Sequence, residues 1–133
     1  MNVRCGTDLV YIPRIAESIG RSPDAFLKKC YTEAERGYAL SFNSDSRRNE
    51  VLAGRFAAKE AVSKALGTGI LTGGISLLDM EILPADNGVP EVTLHGKAKE
   101  AADRLGVVSV SVSITHEKDY AQAFCVLLCD EED

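Results

Sequence analysis

The segment FAAKEAVSKALGTG, residues 56–69, places two lysines and a glutamate among alanine and apolar residues. On a helical period of 3.6 residues, Glu60 and Lys64 lie one turn apart, and Phe56 lies one turn before Glu60. One edge of the predicted helix therefore carries paired opposite charges beside an aromatic ring. Such a pair is commonly only a solvated helix face with a weak ion pair, so the rest of the chain must decide its meaning.

This segment is the second half of a long predicted helix from about Arg47 to Leu66, closed by Gly67. The elements predicted before it are a strand over Val3–Ile12, a helix from Pro13 that ends near Gly20, a helix restarted at Ser22-Pro23-Asp24, and a helix opened by the Thr32/Glu35 capping box. Those predicted after it are a hairpin of strands 75–83 and 90–94 with a turn at 86–88, a helix over 96–106, and paired strands 107–115 and 120–129. Helices with antiparallel strands predict an α+β fold in which an antiparallel sheet packs against the long helix.

Length and composition indicate one domain over residues 1–133, because 133 residues with 45% hydrophobic content suit a single sizeable core. No stretch approaches the ~20 consecutive apolar residues of a membrane span. The first ten residues, MNVRCGTDLV, lack the long apolar region of a secretory signal. We therefore expect a soluble, cytoplasmic protein.

The four cysteines, Cys5, Cys30, Cys125 and Cys129, contain no CxxC pair. Cys125 and Cys129 alternate with apolar residues, as core positions of a strand do. The pattern predicts buried free thiols rather than a zinc site or disulfides.

The net charge of -5 comes almost entirely from the last four residues, Asp130–Asp133, which we expect to form an acidic, solvated tail. Basic residues cluster early, in a window whose only acids are Glu17 and Asp24; they are Arg14, Arg21, Lys28 and Lys29. This cluster predicts a positive surface for an acidic partner. Nucleic acid is a weaker candidate, since the window has little aromatic interleaving and the chain has a pI of about 5.1.

Three residues are unusual choices for a core. Asp8 lies in the apolar strand CGTDLVYI, where unpaired burial would cost on the order of several kcal/mol, so it needs a cation or a capping role at the strand end. Asp8 and Glu60, delivered from separate elements, can hold Mg2+, which takes one or two carboxylates and fills its octahedron with water and phosphate oxygens. His116 lies at the predicted tip between two strands, either as a solvent-exposed turn residue or as a functional group.

The glycine-rich run GTGILTGG, residues 67–74, fits no nucleotide-binding motif. It follows a helix, whereas the dinucleotide fingerprint follows a strand, and it lacks the Gly-Lys-Ser/Thr end of a P-loop. We interpret it as a helix stop followed by a flexible loop.

Three blocks of sequence together resemble the holo-acyl-carrier-protein synthase family, the short bacterial type of 4'-phosphopantetheinyl transferase. The likeness runs in order over roughly Val3 to Leu128, and Val89 stands where the family often has lysine. The blocks are Gly6-Thr7-Asp8-Leu9-Val10 with Ile12 and Arg14, Gly54-Arg55-Phe56-Ala57-Ala58-Lys59-Glu60-Ala61 with Lys64 and Gly67-Thr68-Gly69, and Ser113-Ile114-Thr115-His116 with Tyr120-Ala121.

The resemblance implies transfer of the 4'-phosphopantetheine arm of coenzyme A to a serine of apo acyl carrier protein, with release of adenosine 3',5'-bisphosphate. It implies that Asp8 and Glu60 hold Mg2+ and that Lys64 steadies a phosphate. The serine proton would pass to Glu60 through a water molecule or directly to His116, and these two alternatives stay open.

The resemblance also implies contacts to coenzyme A from Arg47 and Arg55. It implies a homotrimer with active sites between subunits, so that His116 and the two carboxylates come from neighbouring chains. The family's acidic carrier protein matches the positive window, which makes Arg14, Arg21 and Lys28 the expected docking residues.

Two other classes of function share some of these features. A magnesium-dependent nuclease also uses paired carboxylates, but should show a wider basic surface. A non-catalytic module that binds coenzyme A or a carrier protein would keep the basic face without needing Asp8 and Glu60 together.

Overall fold

Helices and antiparallel strands alternate along residues 1–68 and 74–130, which are the residues that this computed structural model describes. In chain order the elements are β1 (Asn2–Tyr11), α1 (Ile12–Arg21), α2 (Pro23–Cys30), α3 (Glu33–Leu40), α4 (Asp45–Leu66), β2 (Met80–Pro84), β3 (Pro90–Leu94), α5 (Gly96–Leu105), β4 (Val107–Glu117) and β5 (Tyr120–Cys129). One antiparallel sheet has the strand order β1-β5-β4, and β2 and β3 form a separate hairpin. The predicted α+β class, with an antiparallel sheet packed against a long helix, is confirmed.

Small residues allow α4 to lie very close to the sheet. Five of its alanines are buried, at positions 53, 57, 58, 61 and 65. A Cβ atom at Gly6 of β1 would stand 2.2 Å from the carbonyl oxygen of Ala61 and 2.7 Å from the amide nitrogen of Ala65. Because both are backbone atoms of α4, only glycine fits at this crossing.

The two faces of the sheet differ in what covers them. Strand β5 turns its odd-numbered positions from Ala121 to Cys129 inward, most of them fully buried on the α4 side. The opposite face leaves large apolar side chains exposed, among them Val3, Leu9 and Phe124. Cys5 shares this outer face and is exposed, so the prediction that it is buried was wrong, whereas the other three cysteines are buried free thiols as predicted.

Lys59 is fully buried and joins α4 to three other elements. Its ammonium group donates hydrogen bonds to Glu35 Oε1 at 2.6 Å, to the carbonyl oxygen of Cys30 at 2.8 Å and to that of Leu77 at 2.9 Å. The second oxygen of Glu35 accepts a hydrogen bond from the backbone N–H of Ile82 at 2.8 Å. Removing one partner from such a buried pair typically costs ~3–5 kcal/mol, so this pair clamps α2, α3 and β2 onto α4.

Most predicted boundaries are confirmed, including the Thr32/Glu35 capping box and the left-handed Gly67 that closes α4. The helix predicted to end near Gly20 ends one residue later, at Arg21, because Pro23 cannot continue it. One prediction was wrong. The strand predicted over 75–83 begins at Met80, because Ser76 and Asp79 cap each other's backbone and hold Leu77–Asp79 in a 3-10 turn.

Two further predictions concern the glycine-rich run after α4 and the acidic tail. Gly67 and Thr68 follow α4 as predicted, but residues 69–73 of the glycine-rich run lie outside the described residues. Asp130, at the start of the acidic tail, is exposed and its backbone N–H donates to the carbonyl oxygen of Gly106 at 2.8 Å, while residues 131–133 also lie outside the described range. Among the described helices, none has the length and hydropathy required to cross a membrane.

The contact at Gly6 predicts that Gly6→Ala destabilises the fold by ~3 kcal/mol or more, since two backbone segments would have to separate. Gly37→Ala is the matched control, because a Cβ there meets no atom within 4 Å and α3 should gain ~0.5–1 kcal/mol. Denaturant unfolding at a fixed protein concentration measures both. Equal stability of the Gly6→Ala variant and the parent would contradict the close packing of β1 on α4.

Candidate functional site

The fold brings Asp8 of β1 and Glu60 of α4 into one cavity of about 320 Å3. Asp8 lies two residues beyond Gly6 and therefore on the same face of β1, toward α4. The side chains that matter to its chemistry are Asp8, Tyr11, Arg14, Phe26, Phe56 and Glu60. The two carboxylates that the sequence suggested as a pair thus meet.

Lys64 supplies a positive charge next to these carboxylates. Its ammonium group lies 3.0 Å from Asp8 Oδ1 and donates a second hydrogen bond to the carbonyl oxygen of Thr7 at 3.0 Å. Burial, and then the negative charge of Asp8, raise the pKa of the Glu60 carboxyl, while Lys64 opposes the rise. Lys64 alone does not cancel the rise in the pKa of Glu60. The environment of Glu60 therefore favours an additional cation.

The donor set fits a hard divalent cation such as Mg2+. Asp8 and Glu60 offer carboxylate oxygens, and Mg2+ commonly uses only one or two protein carboxylates. Within residues 1–68 and 74–130 no group of three or more His, Cys, Asp or Glu side chains could hold a metal ion. The remaining ligands of a bound Mg2+ would therefore be water molecules or oxygens of a bound phosphate.

Aromatic rings form one wall of the same cavity. The rings of Phe26 and Phe56 stack with centroids 6.5 Å apart, and Phe26 also meets Tyr31 edge-on at 6.1 Å. Phe56 was identified from the sequence, whereas Phe26 was not, although its position on the amphipathic α2 was a usable signal. The cavity can therefore contact both a charged and an apolar part of a ligand.

The predicted basic residues lie near this cavity but do not form one continuous row. Arg14 lines the cavity, and Arg21 lies seven residues later on the uninterrupted α1, which is about two turns and so the same face. Arg21 makes an exposed ion pair with Glu17 at 3.6 Å. Lys28 lies on α2 at the edge of a different cavity, which α2 forms with α3 and α4.

His116 does not lie at a turn, which corrects the sequence-based prediction. It lies within β4, opposite Ala121, because the strand pairing continues to Glu117. Its Nε2 is 3.0 Å from the carbonyl oxygen of Glu50, and since a carbonyl only accepts, Nε2 carries the hydrogen and Nδ1 is the acceptor of the neutral ring. A Cβ atom at Gly54 would come within 3.0 Å of His116 Nε2, so Gly54 makes room for this ring.

Within one chain, His116 and the carboxylate pair are separate. Gly54, which faces His116, precedes Glu60 by six residues, or about 9 Å along the helix axis. Strand β5 lies between β1, which carries Asp8, and β4, which carries His116. The structure therefore brings Asp8, Glu60 and Lys64 together and leaves His116 on β4, beside Gly54 of α4.

Arg47 and Arg55 occupy very different environments. Arg47 is half-exposed and pairs with Glu50 at 3.1 Å, close to His116. Arg55 is only 8% exposed, donates from Nε to the carbonyl oxygen of Ile82 at 3.3 Å and lies over the Tyr38 ring at 4.9 Å. Burial lowers the pKa of Arg55, and the nearby Tyr38 hydroxyl and Glu35 carboxylate oppose that shift.

A larger cavity of about 560 Å3 lies between α5 and β4 and is lined in part by Asp103, Arg104 and Asp130. Its Asp103 is already paired with Lys99 on the exposed surface of α5. We assign the candidate active site to the Asp8–Glu60 cavity, because carboxylates from distant parts of the chain converge there.

Comparisons with known proteins identify the family of this chain. Residues 4–125 match the family model of the 4'-phosphopantetheinyl transferase superfamily. The chain is 42% identical over 130 residues to a holo-[acyl-carrier-protein] synthase of Natranaerobius thermophilus, covering 98% of this chain and 100% of that protein. It is similar in fold to the crystal structure of a holo-(acyl-carrier-protein) synthase from Bacillus anthracis in complex with CoA (3',5'-ADP), with a TM-score of 0.78, 36% identity and 96% coverage of both chains. It is also similar to the Helicobacter pylori holo-[acyl-carrier-protein] synthase in complex with coenzyme A, with a TM-score of 0.80, 34% identity, and coverage of 93% of this chain and 99% of that one. The chain therefore belongs to the 4'-phosphopantetheinyl transferase superfamily.

Proposed function

We propose that residues 1–133 act as one domain that transfers 4'-phosphopantetheine from coenzyme A to a serine hydroxyl of apo acyl carrier protein and releases adenosine 3',5'-bisphosphate. The observation that carries the proposal is the meeting of Asp8 and Glu60 at one cavity, with Lys64 paired to Asp8. Relatives named for this synthase activity, and neighbours bound to coenzyme A, support it. The reaction would serve fatty acid biosynthesis in the cytoplasm, a reducing compartment that suits the four free cysteines.

Phosphoryl transfer depends mainly on charge neutralisation and on positioning of the nucleophile. Asp8 and Glu60 would hold Mg2+, which when bound neutralises negative charge on the pyrophosphate of coenzyme A. Lys64 is about half exposed, so its ammonium group can leave Asp8 for a phosphate oxygen once a cation takes its place. The chain thus exchanges an internal ion pair for contacts to the substrate.

His116 is one candidate for the group that takes the serine proton. Its Nε2–H is committed to the Glu50 carbonyl, so Nδ1 is the nitrogen that would accept a proton. Glu60, acting through a water molecule, is the alternative. Near His116, Arg47 offers an exposed charge for coenzyme A. Arg55 is buried, so it would act on the bound coenzyme A from beneath the protein surface.

We further propose a homotrimer with its sites between subunits. The outer face of the sheet exposes Val3, Leu9 and Phe124, with Tyr11 and Tyr120 beside them, and several large apolar side chains exposed on one face are typical of an interface. A subunit packed there would let His116 and Arg47 of one chain approach Asp8 and Glu60 of the next. Such an arrangement accounts for the separation of these groups within one chain.

The proposed acceptor is recognised by Arg14, Arg21 and Lys28, all exposed on α1 and α2. Arg14 also lines the Asp8–Glu60 cavity, so a carrier protein held there would present its serine next to the reacting phosphate. Mass spectrometry of the carrier after incubation with coenzyme A and Mg2+ tests the function directly. An unmodified carrier would reject it in favour of a binding module, and cleavage of DNA under the same conditions would indicate a nuclease.

We expect Asp8→Ala and Glu60→Ala each to abolish most transfer while the fold is kept, because a site with two protein ligands loses its cation when either is removed. Glu100→Ala, an exposed carboxylate on α5, is the control and should retain full activity. Transfer rates are measured across a Mg2+ titration. Near-normal transfer by either variant at limiting Mg2+ would show that the carboxylates do not hold the metal.

His116→Ala should slow the chemical step more than it weakens coenzyme A binding, since the imidazole is proposed to move a proton rather than to hold the substrate. Loss of one general base typically costs ~10²–10⁴-fold in rate. Single-turnover kinetics, together with the dissociation constant of coenzyme A, separate the two effects. An unchanged turnover would assign the role to Glu60 and a water molecule.

Arg14→Glu and Arg21→Glu should raise the Michaelis constant for the carrier protein several-fold, hardly change that for coenzyme A, and flatten the salt dependence of the reaction. The reason is that exposed charges steer an acidic partner and are screened over ~8–10 Å at physiological ionic strength. Steady-state kinetics at low and high salt measure this. Equal losses for both substrates, or none for the carrier, would reject the docking assignment.

A further inference from the structure

A second cavity, of about 190 Å3, lies where α2, α3 and α4 meet, and we call it the α2–α4 groove. Leu27, Ala39 and Leu52 give it an apolar lining. Its charged side chains are three cations and one carboxylate, namely Lys28, Arg36, Arg48 and Asp24. The groove therefore combines an apolar interior with an excess of positive charge.

Arg36 is the one groove cation with a buried nitrogen that nothing in the described chain satisfies. Its Nε is buried and has no hydrogen-bond partner among residues 1–68 and 74–130. Leaving a buried donor unpaired is unfavourable, and more so when the group is charged. The Arg36 side chain as a whole is only half-buried, so an acidic partner can still pair with its guanidinium. Arg48 differs, because it already donates to the carbonyl oxygens of Phe42 and Leu40.

The edge of the groove carries an apolar side chain that the fold does not cover. Leu40, at the end of α3, is 63% exposed and lines the groove. Lys28 lines the groove from α2. Helix α2 follows α1 in the chain, and α1 carries Arg14 and Arg21. The groove is thus a candidate extension of the surface that carries Arg14 and Arg21.

We propose that the α2–α4 groove docks an acidic segment of the carrier protein, which inserts one apolar side chain against Leu27 and Leu40 while an adjacent carboxylate pairs with the Arg36 guanidinium. The inference rests on the proposed function and adds to it a recognition site separate from the catalytic cavity. Charge complementarity favours an acidic occupant, because the groove is lined by three cations and only one carboxylate. A small anion alone would pair with Arg36 but would leave the apolar lining in contact with water.

The test measures binding without catalysis. The probe is acyl carrier protein whose acceptor serine is changed to alanine, titrated calorimetrically at low salt in the absence of coenzyme A. Arg36→Glu should raise the dissociation constant of this probe at least tenfold, and Leu40→Ser should raise it several-fold. Arg36→Lys keeps the charge but lacks the forked guanidinium, so its dissociation constant should lie between those of the parent and of Arg36→Glu.

The matched controls are Arg104→Glu on α5 and Val108→Ser on β4, an exposed charge and an exposed apolar side chain outside the groove. Each should change the dissociation constant less than twofold, and circular dichroism checks that all variants are folded. Binding of the probe to Arg36→Glu within twofold of the parent would overturn the inference. The inference would also be overturned if Arg36→Glu dissociated an oligomer of this chain while the probe still bound normally. The groove would then hold a second copy of this chain.

Transfer assays with the natural carrier distinguish failure of this inference from failure of the proposed function. If the parent protein modifies the carrier and Arg36→Glu does so with an unchanged Michaelis constant, only the groove assignment is wrong. If the parent protein leaves the carrier unmodified, the proposed function itself is wrong and the groove has lost its stated occupant.

Discussion

The close approach of β1 to α4 at Gly6 is the constraint on which the candidate site depends. No larger residue fits there, since a Cβ atom would stand 2.2 Å from a backbone carbonyl of the helix. Because side chains alternate along a strand, the same contact directs Asp8 toward the edge of α4 that carries Glu60 and Lys64. The pairing of carboxylates, which looks like a catalytic feature, is therefore a direct consequence of how the strand packs on the helix.

The neighbouring residues Lys59 and Glu60 show how one helix serves both the core and the site. Lys59 is fully buried, and with Glu35 it holds three other elements against α4. Glu60 is rotated about 100° further round the helix and lines the cavity beside Asp8. The charges in this alanine-rich helix thus have two different purposes, one structural and one chemical.

The arrangement of the sheet suggests that a single chain is incomplete. The order β1-β5-β4 keeps Asp8 and His116 on strands that are not adjacent, and the face opposite α4 exposes apolar residues. Our proposal of a trimer resolves both features with one interface. Under that proposal, two surfaces remain available to the carrier protein. They are the surface that carries Arg14, Arg21 and Lys28, and the α2–α4 groove.

Much of this protein was predictable from sequence because the signals are local. Hydrophobic period, helix caps and the glycine at the end of α4 determined the α+β class and most boundaries, and the paired carboxylates were found as unusual charges in apolar segments. The sequence did not predict that Lys59 is buried and paired with Glu35, place His116 within β4, or identify Arg36, because each depends on contacts between residues far apart in the chain. Whether a lysine is buried, a histidine paired or an arginine left without a partner is decided by packing and desolvation, which exist only once the tertiary structure has formed.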